Sequence, residues 1–312
     1  MKQSVQITNL FYVGDLLMKK TISLLIITFL IMSAGVKAEE PDYISQIQPG
    51  KWLKNIQVPI TYEGETSSAR IQIFFPKNYV KGKYHRTVIA LHQYGERESD
   101  WETNTSIESL ANRYNIVIVC PYMNKSLCET AFYPETSYRW NIIPGGKYIG
   151  ETLISFLNEK FSLAKKSHGT GIMGVTAGAR GALLVAAAYN DKFSAAAGIS
   201  GYYDQSTMPT SRMVESVYGS YKKNQQRWEN EDNVLKLAEK LKGVSVYIYH
   251  GEKNDAFNPI QSKLMAIRLK QLEKKDSDYS ITYKEGKTGG YGWLYWKGQA
   301  EPVMEFMNEK LK

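Results

Sequence analysis

The sequence predicts an α/β fold, namely a single domain with a mostly parallel β-sheet that helices cover on both faces. Short apolar runs, TVIAL at 87–91 and IVIVC at 116–120, are typical of parallel strands buried on both sides. Segments with helical spacing separate such runs, and this alternation is the pattern of a doubly wound sheet. No internal repeat and no linker rich in Pro, Gly or Ser divides the chain, so we expect one domain over residues 56–312.

The predicted strands begin with an antiparallel pair. Residues 56–62 and 69–75 alternate between apolar and polar side chains, as half-buried strands do. The further strands are more uniformly apolar. They are expected at 87–91, 116–120, 171–174, 194–200, 244–249 and 279–283. The preceding residues 39–55 are polar, and we predict a loosely ordered extension there.

Helical spacing of apolar residues predicts the elements between the strands. The helices are expected at 98–114, 147–161, 233–241, 259–274 and 301–310, with a further Ala/Leu-rich helix after the turn at 175–178. Residues 201–231 show no clear period and are rich in Tyr, Ser and Lys, which favours an insertion over the sheet edge.

The N-terminus has the three parts of a secretory signal peptide. Lys19 and Lys20 follow Met18, residues 22–32 are apolar, and small residues end the segment at Val36-Lys37-Ala38. We therefore predict cleavage after Ala38, an exported protein that is periplasmic or secreted, and no stable membrane span afterwards. Residues 1–17 are interpreted as an over-extended start, with Met18 as the initiator. The alternative is an uncleaved membrane anchor.

The composition excludes several other classes. The chain has 43% hydrophobic residues and a formal charge of +8, and its basic residues are scattered without a basic-aromatic array, so no nucleic-acid partner is predicted. No cofactor or metal is predicted. Two cysteines eight residues apart do not make a zinc site, and GKTGGYG at 286–292 lacks the P-loop frame. Cys120 and Cys128 could pair in an exported protein, or Cys120 could simply be a buried strand residue.

The most informative stretch is GIMGVTAGARGALLVAAAYNDKF at 171–193. An apolar strand ends in Gly174, a small-residue turn follows, and a buried helix begins. This is the pattern of the nucleophile elbow, G-x-S-x-G, whose glycines allow a strained turn and close packing of helix on strand. Thr176 stands where the elbow has its reactive serine.

Four motifs in order give the chain a family resemblance over roughly residues 56–311. They are FFPKNYVKGKYHRTVIALHQYGERESDW, IMGVTAGARGALLVAAAYNDKFSAAAGISG, YIYHGEKNDAFNP and GGYGWLYW. The chain resembles the esterase family of α/β-hydrolases that includes esterase D-type S-formylglutathione hydrolases, feruloyl and acetylxylan esterases, and mycolyltransferases. The resemblance implies an α/β-hydrolase fold and ester hydrolysis by a nucleophile, a base and an acid.

The resemblance places the three triad positions at Thr176, Tyr291 and Asp255. The nucleophile position is Thr176, a β-branched residue that is a conformational outlier at positive φ. The base position is Tyr291, where the family usually has histidine in G-G-H-x-W-x-x-W, and tyrosine is a poor base because its pKa is near ~10. The acid position falls on Asp255, although a turn aspartate would look the same.

The loop after the strand at 87–91 supplies the other candidates. The resemblance implies an oxyanion hole made by the backbone N–H of Ala177 and one from Gln93 or Tyr94, although Gln93 replaces the family's usual glycine. None of the four histidines follows the acid loop, so His92 is the candidate for a substitute base. In the family the equivalent histidine usually packs the loop.

Two functions of different class remain open. The first is an impaired hydrolase homologue that binds a small-molecule acyl ester or glycan, or a partner protein. The loss of nucleophile type and base together favours it, because triad members act as a unit. The second is a working carboxylic-ester hydrolase in which His92 or water activates Thr176. Trp293 and Trp296 are candidate pocket residues, as a sugar-stacking wall or as core and pocket lining.

Overall fold

One eight-stranded sheet organises the part of the chain that the computed structural model describes, residues 41–165, 169–253, 258–287 and 289–312. The strands are Lys51–Tyr62 (β1), Glu65–Phe75 (β2), Arg86–Leu91 (β3), Ile116–Pro121 (β4), Thr170–Val175 (β5), Ala195–Ile199 (β6), Ser245–Gly251 (β7) and Ser280–Gly286 (β8). Their order is β1-β2-β4-β3-β5-β6-β7-β8. Only the β1–β2 and β2–β4 pairs are antiparallel, which confirms the mostly parallel sheet.

Helices and shorter turns connect the strands. The α-helices are Asp100–Asn104 (α1), Ile107–Tyr114 (α2), Gly145–Lys147 (α3), Ile154–Phe161 (α4), Ala177–Ala188 (α5), Arg212–Tyr218 (α6), Tyr221–Asn230 (α7), Ile260–Glu273 (α8), Trp293–Trp296 (α9) and Ala300–Lys310 (α10). A π-helical turn at Tyr148–Leu153 joins α3 to α4, and 3₁₀ turns lie at Gln205–Thr207, Lys236–Leu241 and Lys297–Gln299.

Helices pack on both faces of the sheet, as predicted. Buried residues of α4, α5 and α8 belong to the core on one face, and those of α2 and α10 belong to the core on the other. Helix α5 is buried from Ala177 to Ala187, which its Ala- and Gly-rich sequence allows because small side chains let a helix approach the sheet closely. None of the described helices is long and apolar enough to cross a bilayer.

Two local predictions were wrong, and one segment had no predicted elements. Residues 51–55 belong to strand β1, and a register shift between Leu53 and Ile56 interrupts the alternation that would have revealed it. The helix expected at 98–114 is two helices, because Thr105 Oγ1 bonds the Trp101 carbonyl and accepts from the Ile107 N–H, ending the first helix. The residues at 201–231, for which the sequence showed no clear period, contain α6 and α7.

The two cysteines do not pair. Cys120 lies in β4, and both thiols are buried and free. Cys128 packs against Gly181 of α5, where an added Cβ would lie 2.9 Å from the Cβ of Cys128. Burial raises the pKa of each thiol, so both remain protonated side chains of the core.

Candidate active site

Thr176 occupies the sharp turn between β5 and α5. Its backbone has φ +50° and ψ −108°, a conformation that is strained for a β-branched residue. Two hydrogen bonds hold the turn. The Thr176 N–H donates to the Ile199 carbonyl (2.9 Å), and the Arg180 N–H donates to the Thr176 carbonyl (3.0 Å). The chain therefore keeps the elbow geometry although its tip residue is unfavourable there.

The elbow glycines are required by close backbone contacts. A Cβ on Gly174 would lie 2.9 Å from the Ala179 nitrogen, and a Cβ on Gly178 would lie 2.8 Å from the Leu91 carbonyl oxygen. Real Cβ atoms do not approach backbone so closely. This agrees with the expectation that helix and strand pack tightly at this turn.

The structure brings Thr176 and Tyr291 together through the side chain of Gln93. The Tyr291 hydroxyl donates to Gln93 Oε1 (2.6 Å), and Thr176 Oγ1 lies 3.5 Å from the same oxygen. Gln93 follows strand β3, Thr176 follows β5 and Tyr291 follows β8. The three residues therefore come from the carboxyl ends of three strands, at one edge of the sheet. Both hydroxyls thus point at one neutral amide oxygen.

Glu96 fixes the other end of the Gln93 amide. The Gln93 Nε2 group donates to Glu96 Oε1, and the Trp293 indole N–H donates to Glu96 Oε2 (2.9 Å). With Nε2 directed at a carboxylate, Oε1 is directed at the two hydroxyls. Burial raises the pKa of Glu96, while the bonds from Trp293 and Gln93 oppose that rise.

The Tyr291 phenol keeps its proton at neutral pH. Burial raises the pKa of Tyr291 above its ordinary value of 10, and the nearby Glu96 carboxylate raises it further. The donated hydrogen bond to Gln93 uses the same proton. In this geometry Tyr291 is a hydrogen-bond donor.

His92 binds the backbone through both of its ring nitrogens. Nδ1 lies 2.6 Å from the Gln93 carbonyl oxygen, and Nε2 accepts the Met123 N–H (3.0 Å). A ring that donates from Nδ1 and accepts at Nε2 is neutral, and burial lowers the pKa of His92. These contacts support a loop-packing role and give no support to His92 as the base.

The acid and oxyanion-hole candidates remain predictions. Asp255 lies outside the described residues. Ala177 is the first residue of α5, where backbone N–H groups have no intrahelical partner, and Gln93 and Tyr94 lie in the loop after β3. The oxyanion hole stays a prediction.

The aromatic candidates form one packed group beside Tyr291. The Tyr291 ring meets Trp296 edge-on at 5.0 Å between centroids, and Trp293 meets both Trp296 (5.5 Å) and Trp101 (5.3 Å). Trp296 is fully buried and belongs to the core, whereas Tyr291 is 44% exposed. Of the two tryptophans, Trp293 is the one that reaches the site's polar network.

A second polar network lies behind the elbow, and no sequence motif indicated it. The fully buried Arg180 guanidinium donates to the Leu127 carbonyl (2.6 Å), the Asp232 carbonyl (2.8 Å) and the Tyr218 hydroxyl (3.0 Å). The Tyr218 hydroxyl in turn donates to Asp232 Oδ2 (2.9 Å). Arg180 thereby joins α5 to the segment that contains α6 and α7.

Comparison with known proteins assigns the family. Residues 66–302 match the sequence model of the family described as Putative esterase, which covers most of the chain. An acetyl esterase of Caldicellulosiruptor saccharolyticus is 23% identical in an alignment of 237 positions that covers 72% of this chain and 84% of that protein. The chain therefore belongs to the Putative esterase family.

Solved structures share the fold. The serine hydrolase FphF of Staphylococcus aureus superposes with a TM-score of 0.63 at 19% identity, over 84% of this chain and 99% of that one. A ferulic acid esterase of Anaeromyces mucronatus, solved with ferulic acid, gives a TM-score of 0.56 at 13% identity, over 87% and 96% of the two chains. At these identities the likeness concerns the fold, which is that of the α/β-hydrolases.

Proposed function

We propose that this chain is an exported, catalytically impaired member of its family that binds a neutral acyl ester or glycan at the elbow. The observation that carries the proposal is the hydrogen bond from Tyr291 to Gln93 (2.6 Å). At the position that the resemblance assigns to the catalytic base, the chain has a hydrogen-bond donor whose proton is already used.

The missing base accounts for the loss of hydrolysis. A phenol with a pKa above 10 is ionised in fewer than about one molecule in a thousand at pH 7. A positioned general base contributes roughly 10²–10⁴-fold to such reactions. Among the described residues, Thr176 Oγ1 has its hydrogen-bond partner in the Gln93 amide oxygen at 3.5 Å, and a neutral amide does not accept a proton at pH 7.

The same arrangement suits the binding of a hydrogen-bond acceptor. Thr176 and Tyr291 present two hydroxyls to one point, which Gln93 Oε1 now occupies. A ligand carbonyl or hydroxyl that displaces the Gln93 side chain would accept both. The adjacent Glu96 carboxylate disfavours an anionic ligand and favours a neutral one. The acetyl esterase relative and the ferulic acid-bound structure support acyl groups as the ligand class.

A second candidate, ester hydrolysis by Thr176 itself, is favoured by one observation. Thr176 keeps φ +50° although the conformation is strained for threonine, and such strain costs on the order of 1–3 kcal/mol. Retained strain often accompanies a functional side chain. In this case water, or His92 after rearrangement, would have to accept the proton.

Restoring the family's residues tests the proposal. The double variant Thr176→Ser with Tyr291→His is expected to hydrolyse p-nitrophenyl acetate at least about 100-fold faster than the unaltered protein. Thr176→Ala with Tyr291→His is the matched control and should stay at background. A double variant that remains inactive would mean that the acid or oxyanion position is also wrong.

Ligand binding has its own test, because Trp293 reports on the site. Titration of an acetylated xylo-oligosaccharide should change tryptophan fluorescence, and Tyr291→Phe, which removes one donor, should weaken binding about tenfold. Trp52, in the edge strand β1, offers a control variant, Trp52→Phe, that should leave the affinity unchanged. If the unaltered protein gave no saturable fluorescence change, that result would contradict a glycan or acyl ligand of this kind.

The proposed export rests on the leader at 1–38. Mass spectrometry of the secreted or periplasmic protein should find Glu39 at its N-terminus. A chain that retains residues 18–38 in a membrane fraction would instead support the anchor.

A further inference from the structure

Helix α8 has an apolar stripe that the core does not use. Its buried side, which includes Met265, Leu269 and Leu272, packs toward β7 and β8. On the opposite side Ile260, Leu264 and Ile267 are 45%, 43% and 45% exposed. Their spacing of four and three residues aligns them along one ridge of the helix, over about 10 Å.

Basic side chains border this stripe on both sides. At 100° per residue, Lys263, Lys270 and Lys274 project on one side of the stripe, and Arg268 and Lys275 project on the other. Arg268 is paired with Glu239 (2.5 Å). The lysines therefore carry most of the excess charge of this face.

Among the described residues of α8, no carboxylate lies beside these lysines. Its single acidic residue, Glu273, accepts the Ile281 N–H (3.2 Å) and so faces strand β8. The exposed face of the helix is consequently apolar along its middle and positive along its margins.

This arrangement fits the surface of an anionic bilayer. An interfacial helix buries a line of large apolar side chains among the acyl chains while lysines on its margins reach the headgroups. The stripe is a convex ridge, which can lie against the flat surface of a membrane, whereas an acidic peptide would need a groove. Each lysine near an anionic leaflet adds about fivefold to the partition coefficient.

We propose that α8 is a peripheral binding face for anionic phospholipid membranes. The apolar ridge of Ile260, Leu264 and Ile267 would enter the interface, and Lys263, Lys270 and Lys274 would pair with lipid phosphates. The face is formed by side chains other than Thr176, Gln93 and Tyr291, so this property stands independently of any ligand at the elbow.

Vesicle sedimentation tests the proposal with the purified protein. We expect binding to phosphatidylglycerol–phosphatidylcholine vesicles at low salt, and at least tenfold weaker binding to phosphatidylcholine alone. The variant Ile260→Ser/Leu264→Ser/Ile267→Ser and the variant Lys263→Gln/Lys270→Gln/Lys274→Gln should each lose at least tenfold in partitioning.

A charge-matched control separates this face from the general positive charge. Lys81→Gln/Lys222→Gln/Lys223→Gln removes three exposed lysines elsewhere and should bind as the unaltered protein does. Equal losses in the control and α8 variants would overturn the proposal, as would no binding to either vesicle. Light scattering that shows a dimer abolished by the serine variant, without vesicle binding, would assign the face to a second copy of the chain and also overturn it.

Discussion

The front of the elbow, with Thr176, Gln93 and Tyr291, and the back, with Arg180, differ in how far their polar groups are buried and bonded. Behind the turn, Arg180 is fully buried and donates four described hydrogen bonds of 2.6–3.2 Å. In front, Thr176 lies 3.5 Å from Gln93, and Tyr291 is 44% exposed. Both regions depend on the same twelve-residue helix, α5. The scaffold of a nucleophile elbow is thus separable from the groups that would make the nucleophile react.

The largest expected effect on stability comes from a substitution of Arg180, behind the elbow. Arg180→Met keeps much of the side-chain volume but leaves the Leu127 and Asp232 carbonyls without their donor. We expect a loss of about 3–5 kcal/mol in the free energy of unfolding, which corresponds to a Tm lower by roughly 10 °C. Calorimetry measures it directly.

The control for Arg180 is an arginine on the surface. Arg113 pairs with Glu301 where both side chains are more than half exposed, so Arg113→Met should leave the Tm unchanged. If both substitutions lowered the Tm equally, the region behind the elbow would be no more sensitive than the surface to the loss of an arginine.

The turn itself gives the next effect. Gly178→Ala would place a Cβ 2.8 Å from the Leu91 carbonyl oxygen, and backbone cannot yield as a flexible side chain can. We expect a destabilisation of about 1–3 kcal/mol in chemical denaturation. Gly298→Ala is the matched control, because a Cβ there meets nothing within 4 Å. A neutral Gly178→Ala would show that the elbow is less crowded than described.

The smallest effect concerns the strain at the tip. Thr176→Gly relieves a positive φ that threonine adopts at a cost, so we expect unchanged stability or a gain of up to about 1 kcal/mol. Thr61→Gly, in the extended strand β1, should instead destabilise the protein. A clear loss at Thr176 would mean that its side chain contributes contacts that outweigh the strain.

Local sequence patterns predicted the parts of the molecule that depend on neighbouring residues. The apolar runs located the parallel strands, and Gly174, Thr176 and Gly178 located the elbow because its close contacts require small residues at fixed spacing. The predictions were weaker where a pattern is interrupted, as in β1, whose register shift hides residues 51–55. Helix α7 was missed because Trp228 is its single buried residue, and α6 was missed because its seven residues are too few to show a period.

The roles of Gln93 and Glu96 could not be read from local patterns. Gln93 meets Tyr291 across 198 residues of chain, and Trp293 meets Glu96 across 197. Periodicity reports on one element at a time, whereas these bonds depend on which strand ends become neighbours in the sheet. The Arg180 partners Leu127, Tyr218 and Asp232 come from three separate segments of the chain and are unpredictable for the same reason. The only available signal was that Gln93 replaces a glycine expected from the family.

The most direct test of the central claim is the rate of p-nitrophenyl acetate hydrolysis by the unaltered protein beside Thr176→Ala at pH 7. Because the proposal assigns the base position to Tyr291, whose phenol is protonated at pH 7, both proteins should hydrolyse the ester at the same background rate. A rate in the unaltered protein that Thr176→Ala abolishes would contradict the account and identify Thr176 as a working nucleophile.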